Sequence, residues 1–496
     1  MKEIYFFHYH FLTGGVNTVV KKLIEILKNR YKITIFTSLE MGIEGIQNQL
    51  KYENVEVNDF PEIRYIYPEN IDKDKFNKLK NKILARLKKN HKENALYWVH
   101  NYHLGKNPAF TSAFINFIKK EGVKTILQIH DFPECARWVN YKFLDKYVDH
   151  TLYPLSNNIV YSTINKRDFE RLRDAGVPEK NLFYLPNSVS LDRENINKKQ
   201  KKNIRREIFD KLKELIKIKE NEYLFLYPTR TIRRKNILEA ILVNRLFNKR
   251  SNLIVTLGAN SKKERKYEET VKKVFNNEKI KGVWAISKHF PDLFPKLMKG
   301  SDLLITTSLL EGFGLMYLES KINKQNFFSR KINILEDFEN IEEESYYTGI
   351  KVYNKKKDFL VDRYESKIDS LKLKKKYKKI LLQKVREKIN KRIIDYSYLD
   401  VDSQKDICLK KNINEIKKLN KGVSSKMLKL TENYKKQGIN LDFFSFEKYR
   451  KRVKKLVKEV EKENNLNYDN NQKKKIDEKV MKSFLKIKYI RLIFDY

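Results

Sequence analysis

Short apolar runs alternate with helical spacings through the first 190 residues. "EIYFFHYHF" (3–11) reads as a buried strand, and "NTVVKKLIEILKNR" (17–30) as a helix with one apolar face. "YKITIFTS", "ALYWVH", "TILQIH", "NIVYST" and "LFYLPNSV" continue as strands, several with helical stretches between them. Near-continuous apolar strands joined by helices predict a parallel sheet covered on both faces. The polar stretch "DRENINKKQKKNIRREIFDKLKELIKIKE" (192–220) interrupts this pattern. It then restarts with "YLFLYPT", the helix "NILEAILVNRLF", and the strands "NLIVTLGA", "GVWAIS" and "DLLITTS". Beyond about 355 the chain is mainly helical and highly charged, and "KENNLNYDNNQKKK" reads as an exposed linker.

The expected fold is therefore α/β: two Rossmann-like, doubly wound parallel-sheet domains facing each other, with a charged helical extension. The expected boundaries are 1–190 for the first domain, 191–220 for a basic linker/helix, 221–400 for the second domain and 401–496 for a helical extension that can cross back onto the first domain. In such sheets ligands bind outside the carboxyl ends of the strands.

The 496 residues suffice for two cores. With 105 Lys+Arg against 63 Asp+Glu, the net charge of +42 asks whether the partner is a polyanion. Lysines spread over surface-helix patterns answer that most of this charge is solvated helix face. No RNA-binding aromatic signature or zinc spacing is present, so no specific nucleic-acid partner is expected. Cys135 and Cys408 are too far apart in sequence to suggest a disulfide framework or a metal site. The amino terminus lacks a secretory pattern, and no apolar run of about 18 residues occurs. A cytoplasmic protein is expected, with peripheral contact on an acidic inner membrane face left open.

Unusual residues gather where strands end. Seven of the eight histidines precede residue 151. His8 and His10 close the first strand, His100 and His103 follow "LYWV", and His130 precedes Asp131. A metal site is the rival explanation of that cluster. Gly14 and Gly15 in "TGGV" let backbone approach an anion at the following helix, but the full dinucleotide fingerprint is absent. In "YPTRTIRRKN", Arg230, Arg233, Arg234 and Lys235 crowd one loop, a repulsion that a bound phosphate would relieve. In "SLLEGFGLMYLES", Glu311 ends a strand and Glu319 lies eight positions on. Along a helix that spacing is about 12 Å and roughly 80° of rotation. It suits two sites on one ligand rather than an acid/base dyad.

"EGFGLMYLE" resembles the E-x7-E element of family 4 glycosyltransferases of the GT-B fold. "RTIRRK", "TGGV" and "LPNSV" are similar to that family's diphosphate-binding pair, glycine loop and passage into the donor domain, so the resemblance covers residues 1 to about 340. It implies a hexosyltransferase that uses a nucleoside-diphosphate sugar, UDP- or GDP-linked, and transfers to a hydroxyl acceptor. Retention of configuration and no catalytic metal or cofactor are further implications. Arg230 and Lys235 would hold the diphosphate, Glu319 the ribose, and Glu311 the sugar with the backbone of Gly312, Phe313, Gly314 and Leu315. Gly14 and Gly15 would abut the phosphates, and His130 would sit near the sugar. Acceptor contacts are expected at His103, Asp131, Glu134 and Arg137, with Asn140 and Tyr141 beside them; the acceptor is a small molecule, a saccharide or a lipid.

The chain departs from the family after Glu319. Lys324 and Asn326 in "SKINKQNFFSRK" align with a usual Gly-x-Pro turn, which implies a reshaped donor loop. The alternatives are a non-catalytic binder of nucleic acid or another anionic polymer, and a sugar phosphorylase of the same architecture, which needs no ribose ligand at Glu319.

Overall fold

The computed structural model describes residues 2–492 except 13, 192–196, 260–261, 339–340, 372, 434–437, 463–469, 487–488 and 490–491. Two compact units emerge: Met1–Ser188 with Phe444–Leu485, and Val189–Phe443 with Lys486–Tyr496.

Among the described residues the first unit holds seven strands: β1 (Lys2–Phe7), β2 (Tyr31–Thr37), β3 (Val55–Asp59), β4 (Leu96–His100), β5 (Thr125–Ile129), β6 (Ile159–Thr163) and β7 (Leu182–Tyr184). All pair in parallel in the order β3-β2-β1-β4-β5-β6-β7. The order reverses between β1 and β4, so ligand chemistry is expected beyond their carboxyl ends. Five helices connect the strands: α1 (Gly15–Leu27), α2 (Lys73–Lys89), α3 (Pro108–Glu121), α4 (Trp138–Tyr147) and α5 (Lys166–Ala175). Helix α1 turns Val19, Val20, Leu23, Ile24 and Leu27 toward the sheet. Helix α3 starts where the Asn107 side chain accepts from Phe110 N–H, has Pro108 at its first position, and stops at the left-handed Gly122.

The second unit is built around β8 (Tyr223–Arg230), β9 (Ser251–Leu257), β10 (Gly282–Val283), β11 (Leu303–Thr306), β12 (Phe327–Arg330) and β13 (Tyr346–Tyr347). The order is β10-β9-β8-β11-β12-β13, again parallel and reversing at the centre, between β8 and β11. An antiparallel pair, β14 (Lys351–Tyr353) and β15 (Ile393–Asp395), stands apart. Its helices are α6 (Lys198–Lys213), α7 (Ile237–Leu246), α8 (Lys262–Phe275), α9 (Phe294–Gly300), α10 (Leu315–Ile322), α11 (Lys357–Ser370), α12 (Lys375–Ile389), α13 (Val401–Leu409), α14 (Asn414–Leu419) and α15 (Lys421–Glu432).

The segment expected at 191–220 as a basic linker/helix carries helix α6 and belongs to the second unit. Residues 192–196 lie outside the described residues, and α6 buries Ile208, Phe209 and Leu212. Its Arg205 donates to both Asp302 carboxylate oxygens at 3.0 Å and to the Glu222 carbonyl at 3.0 Å, fastening the helix to the second sheet. The helical extension expected at 401–496 is divided between the two units. Residues to Phe443 stay with the second unit, while α16 (Phe446–Glu461) and α17 (Asn470–Phe484) belong to the first. The apolar stripe Tyr449, Val453, Leu456, Val457 and Val460 of α16 completes the core formed with α1 and the sheet. Of the expected linker "KENNLNYDNNQKKK", residues 463–469 lie outside the described residues and the rest from Asn470 begins α17. Asp477 on that helix accepts from Leu152 N–H at 2.8 Å.

Candidate active site

In the second unit the loops after β8 and β11 flank the point where strand order reverses. The first carries Arg230–Asn236 and the second Thr307–Gly314. Their backbones are knitted together: Leu309 N–H donates to Arg234 O at 2.7 Å, Thr307 Oγ1 donates to Asn236 O at 2.9 Å, and Tyr227 Oη donates to Lys235 O at 2.7 Å. This framework sets the Lys235 ammonium against the Glu311 carboxylate. Arg234 lies 3.6 Å from the same carboxylate and donates to Leu310 O at 2.9 Å.

Burial pushes Glu311 up, but Lys235 and Arg234 outweigh it and hold the carboxyl below its usual range. Burial lowers the Lys235 ammonium, with Glu311 opposing and Arg234 reinforcing. Arg230 ends β8 with much of its side chain open to solvent; the part that is covered and the Arg234 charge lower its guanidinium, and Glu264 opposes them. Two cations, Lys235 and Arg234, thus face one carboxylate, and Arg230 adds a third positive charge close enough to lower the Lys235 ammonium, an arrangement that a diphosphate balances.

Gly314 caps α10 at φ +82°, and a Cβ there would lie 2.9 Å from the Tyr317 ring. Glu311 therefore precedes the helix, and only Glu319 sits on it; the helical spacing expected between the two carboxylates does not apply. Burial raises the Glu319 carboxyl.

The departure after Glu319 has a structural explanation. Lys324 adopts φ +50°, the left-handed conformation ordinarily given to glycine. Asn326 Nδ2 donates to Leu430 O at 2.6 Å and Asn433 O at 2.7 Å, tying the turn to α15. A lysine in that conformation is strained, so Lys324→Gly is expected to raise stability by about 0.5–1 kcal/mol in chemical denaturation.

In the first unit the rim is built on histidines. Phe7 pairs with Val99, so His8 and His100 end adjacent strands at one level. His8 Nδ1–H donates to His100 O at 3.4 Å, and His100 Nδ1 lies 3.0 Å from His130 Nε2. His100 Nε2 is buried without a hydrogen-bond partner among the described residues. A buried acceptor without a donor costs less than a buried N–H without an acceptor. That assigns the shared proton to His100 Nδ1 and leaves His130, 7 % exposed, with its own proton on Nδ1. Asn101, at φ +54°, accepts from the His130 N–H at 2.9 Å and the Asp131 N–H at 3.3 Å.

Similarity to known proteins identifies the chain. It is 47% identical over 509 residues to the mannosylglucosyl-3-phosphoglycerate synthase of Petrotoga mobilis (strain DSM 10674 / SJ95), covering 100% of both chains. Residues 208–383 match the family described as "Glycosyl transferases group 1". The chain is a group 1 glycosyltransferase. Among solved structures, Anabaena Alr3699/HepE with UDP-glucose has a TM-score of 0.49 at 11% identity, covering 92% of this chain and 100% of that one. The catalytic domain of Arabidopsis thaliana starch synthase IV with ADP and acarbose has 0.48 at 11%, covering 93% and 100%.

This glycosyltransferase has two doubly wound parallel-sheet units in one chain. Its Lys235, Arg234 and Glu311 meet at one strand-order reversal, and His8, His100 and His130 at the other. Asp131 and Arg137 pair at 2.8 Å on the first rim. Gly14 precedes α1 and Gly15 opens it; a Cβ at Gly15 meets nothing within 4 Å, so the packing does not require glycine there.

Two expected acceptor contacts are buried instead. His103 is 0 % exposed, ringed by Tyr102, Phe132 and Tyr153. Glu134 is 1 % exposed, its two oxygens accepting from Tyr153 Oη at 3.1 and 3.0 Å, and burial pushes its carboxyl up to about 8. Asn140 Nδ2 donates to Leu104 O at 2.8 Å, a structural use. His100 as the partner of His130, and the residues Asn101, Tyr65 and Lys106, escaped sequence reasoning; their position just beyond parallel strands was the available signal. Among the described residues no group of three or more His, Cys, Asp or Glu side chains is arranged to hold a metal ion, and no helix is long and apolar enough to cross a membrane.

Burial lowers His8 and His103 to about 3 and His130 to about 4, and drives His100 well below its ordinary value. A depressed folded pKa means the unfolded ring takes a proton first. Each ring's contribution to stability is therefore lost as pH falls from about 6.5 toward its folded value, by roughly 1.4 kcal/mol per pH unit. The raised carboxyls of Glu134, Glu239, Glu319 and Asp477 oppose this, so the check is spectroscopic. In histidine-selective NMR these four rings are expected to stay neutral between about pH 5 and 8. A midpoint inside that range for His130 would contradict the burial.

Proposed function

We propose that the protein is a mannosyltransferase that moves mannose from a nucleoside-diphosphate mannose to glucosyl-3-phosphoglycerate, retaining the anomeric configuration. The observation that carries this reading is the 47% identity along the whole length to a mannosylglucosyl-3-phosphoglycerate synthase. The cation cluster beside Glu311 supports a diphosphate-linked donor.

In this reading Arg230 and Lys235 bind the diphosphate, and Glu319 binds the ribose. Glu311 and the backbone of Gly312–Leu315 bind the mannosyl unit. His130 donates its Nδ1–H to a sugar oxygen, and Gly14 and Gly15 leave room for phosphate. The C1–O bond to the diphosphate breaks, and its electron pair leaves with the phosphate. The acceptor hydroxyl forms the new C1–O bond on the same face, and its proton passes to the departing diphosphate. Lys235 stabilises the negative charge that develops there, a preorganised electrostatic role. Positioning supplies the rest.

The test is to incubate the protein with glucosyl-3-phosphoglycerate and a panel of GDP-, UDP- and ADP-linked mannose and glucose. One donor should yield a product heavier by one hexosyl unit, with equimolar nucleoside diphosphate, and NMR of the new linkage should report the donor's configuration. Absence of acceptor-dependent diphosphate release with every donor would refute the proposal.

A further inference from the structure

The first rim also carries cations that its carboxylates do not balance. Lys106 lies in the loop after β4, and its backbone is pinned on two sides. Gly105 stands at φ +71°, where a Cβ would lie 2.6 Å from Asn140 O on α4, and Ile66 N–H donates to Lys106 O at 2.9 Å. The side chain crosses the Tyr65 ring, its ammonium 4.7 Å from the centroid. Among the described residues no carboxylate lies within ion-pair distance of that ammonium. The nearby Asp131 is engaged by Arg137 at 2.8 Å. Burial lowers the Lys106 ammonium, the Arg137 guanidinium lowers it further, and Asp131 opposes. Two cations therefore share one carboxylate at a half-exposed rim, an arrangement that a second anion relieves.

The hydrogen bonds beneath them supply a neutral donor. Leu12 N–H donates to His10 Nδ1 at 3.3 Å, so that nitrogen carries a lone pair. Burial and Lys106 keep His10 below its ordinary pKa, so the ring is neutral and its one proton is on Nε2. That Nε2–H donates to Tyr65 Oη at 3.0 Å. The phenol, raised to about 12 by burial, keeps its own proton, and that O–H is left to donate outward.

We propose that Lys106, Arg137 and the Tyr65 hydroxyl form a binding site for the phosphate of the acceptor. The three donors rise from loops after β3, β4 and β5 of one sheet, and Arg137 follows Asp131 and His130 in the same loop. The site holds the phosphorylated end while the sugar end reaches His130. This rests on the reading of the acceptor as glucosyl-3-phosphoglycerate.

The experiment compares kcat/KM for glucosyl-3-phosphoglycerate with that for the same compound lacking its phosphate. Lys106→Met, which keeps the stem over the ring, should shrink the preference for the phosphorylated acceptor by roughly tenfold to a hundredfold. Lys106→Arg should restore most of the preference, and Tyr65→Phe should lower it by a smaller factor. An unchanged ratio in Lys106→Met would overturn the site.

Failure of the functional reading is told apart by calorimetry with 3-phosphoglycerate and glycerate as probes. If the wild type does not extend glucosyl-3-phosphoglycerate but binds 3-phosphoglycerate over glycerate, and Lys106→Met loses that binding, the phosphate site stands. If wild type and variant bind 3-phosphoglycerate equally, or neither binds it, the site falls.

Discussion

Replacing Lys235 with alanine is expected to lower kcat by roughly a hundredfold to a thousandfold, the scale of removing one preorganised charge donor. The melting temperature should change little. The loop backbone is held independently of the side chain: Lys235 O accepts from Tyr227 Oη, and Leu309 N–H and Thr307 Oγ1 fix Arg234 and Asn236. What disappears is the ammonium beside Glu311, leaving Arg234 at 3.6 Å as that carboxylate's nearest cation. Lys235→Arg should recover only part of the rate, because a planar fork does not reproduce a compact ammonium. Steady-state kinetics with thermal unfolding of the same samples provide the check. Turnover near the parent's in Lys235→Ala would remove the residue from the chemistry.

The largest stability effect is expected at Arg330. Its side chain is 1 % exposed and reaches Glu239, 0 % exposed, with Nη2 at 2.6 Å from both carboxylate oxygens. Arg330 Nη1 donates to Asp395 at 2.6 Å, and Tyr347 Oη donates to Glu239 at 2.7 Å. This network joins α7, β12, β13 and β15. It also reaches the diphosphate loop, because Asn236 Nδ2 donates to Glu239 at 2.6 Å and Arg233 donates to Asn236 at 3.2 Å.

Arg330→Met leaves Glu239 buried without its cation, at a cost of about 3–5 kcal/mol. Burial already raises the Glu239 carboxyl, with Arg330 opposing. Without that opposition the carboxyl rises further, so the variant should lose stability as pH increases and regain some as pH falls. Denaturation of Arg330→Met at two pH values tests both sign and size. A loss under about 1 kcal/mol would show the pair to be replaceable.

Much of this architecture is legible in the sequence because parallel strands announce themselves. "LYWVH" and "TILQI" are buried along their whole length, and apolar runs of that kind have few other uses. The rule that ligands bind beyond parallel strand ends points to the loops after "YLFLYPTR" and "DLLITT", but that these two strands are neighbours, and so set Lys235 against Glu311, is seen only in the strand order.

Depth and destination are harder to read. His103 and Glu134 stand near strand ends as expected, but whether a side chain there faces solvent depends on neighbours such as Tyr153 that are distant in sequence. The apolar stripe of "FEKYRKRVKKLVKEVE" shows a buried helix face, yet periodicity does not say which sheet it covers. Charge misleads in α6, whose three buried apolar side chains are outnumbered by lysines and arginines. The same abundance hides Lys106, one of 105 basic residues and distinguished only by where its loop lies. Lys324 shows the opposite case: the residue type departs from the family while the backbone keeps a glycine's conformation.

The most direct measurement of the central claim, that Arg230 and Lys235 bind the donor's diphosphate, is calorimetric titration of GDP and UDP. The ligands are titrated into the wild type and into the double variant Arg230→Ala/Lys235→Ala. One of the two nucleotides should bind the wild type, and the double variant should bind it at least about a hundredfold more weakly, as expected for two charge-assisted contacts. Equal affinity in both proteins would contradict the account.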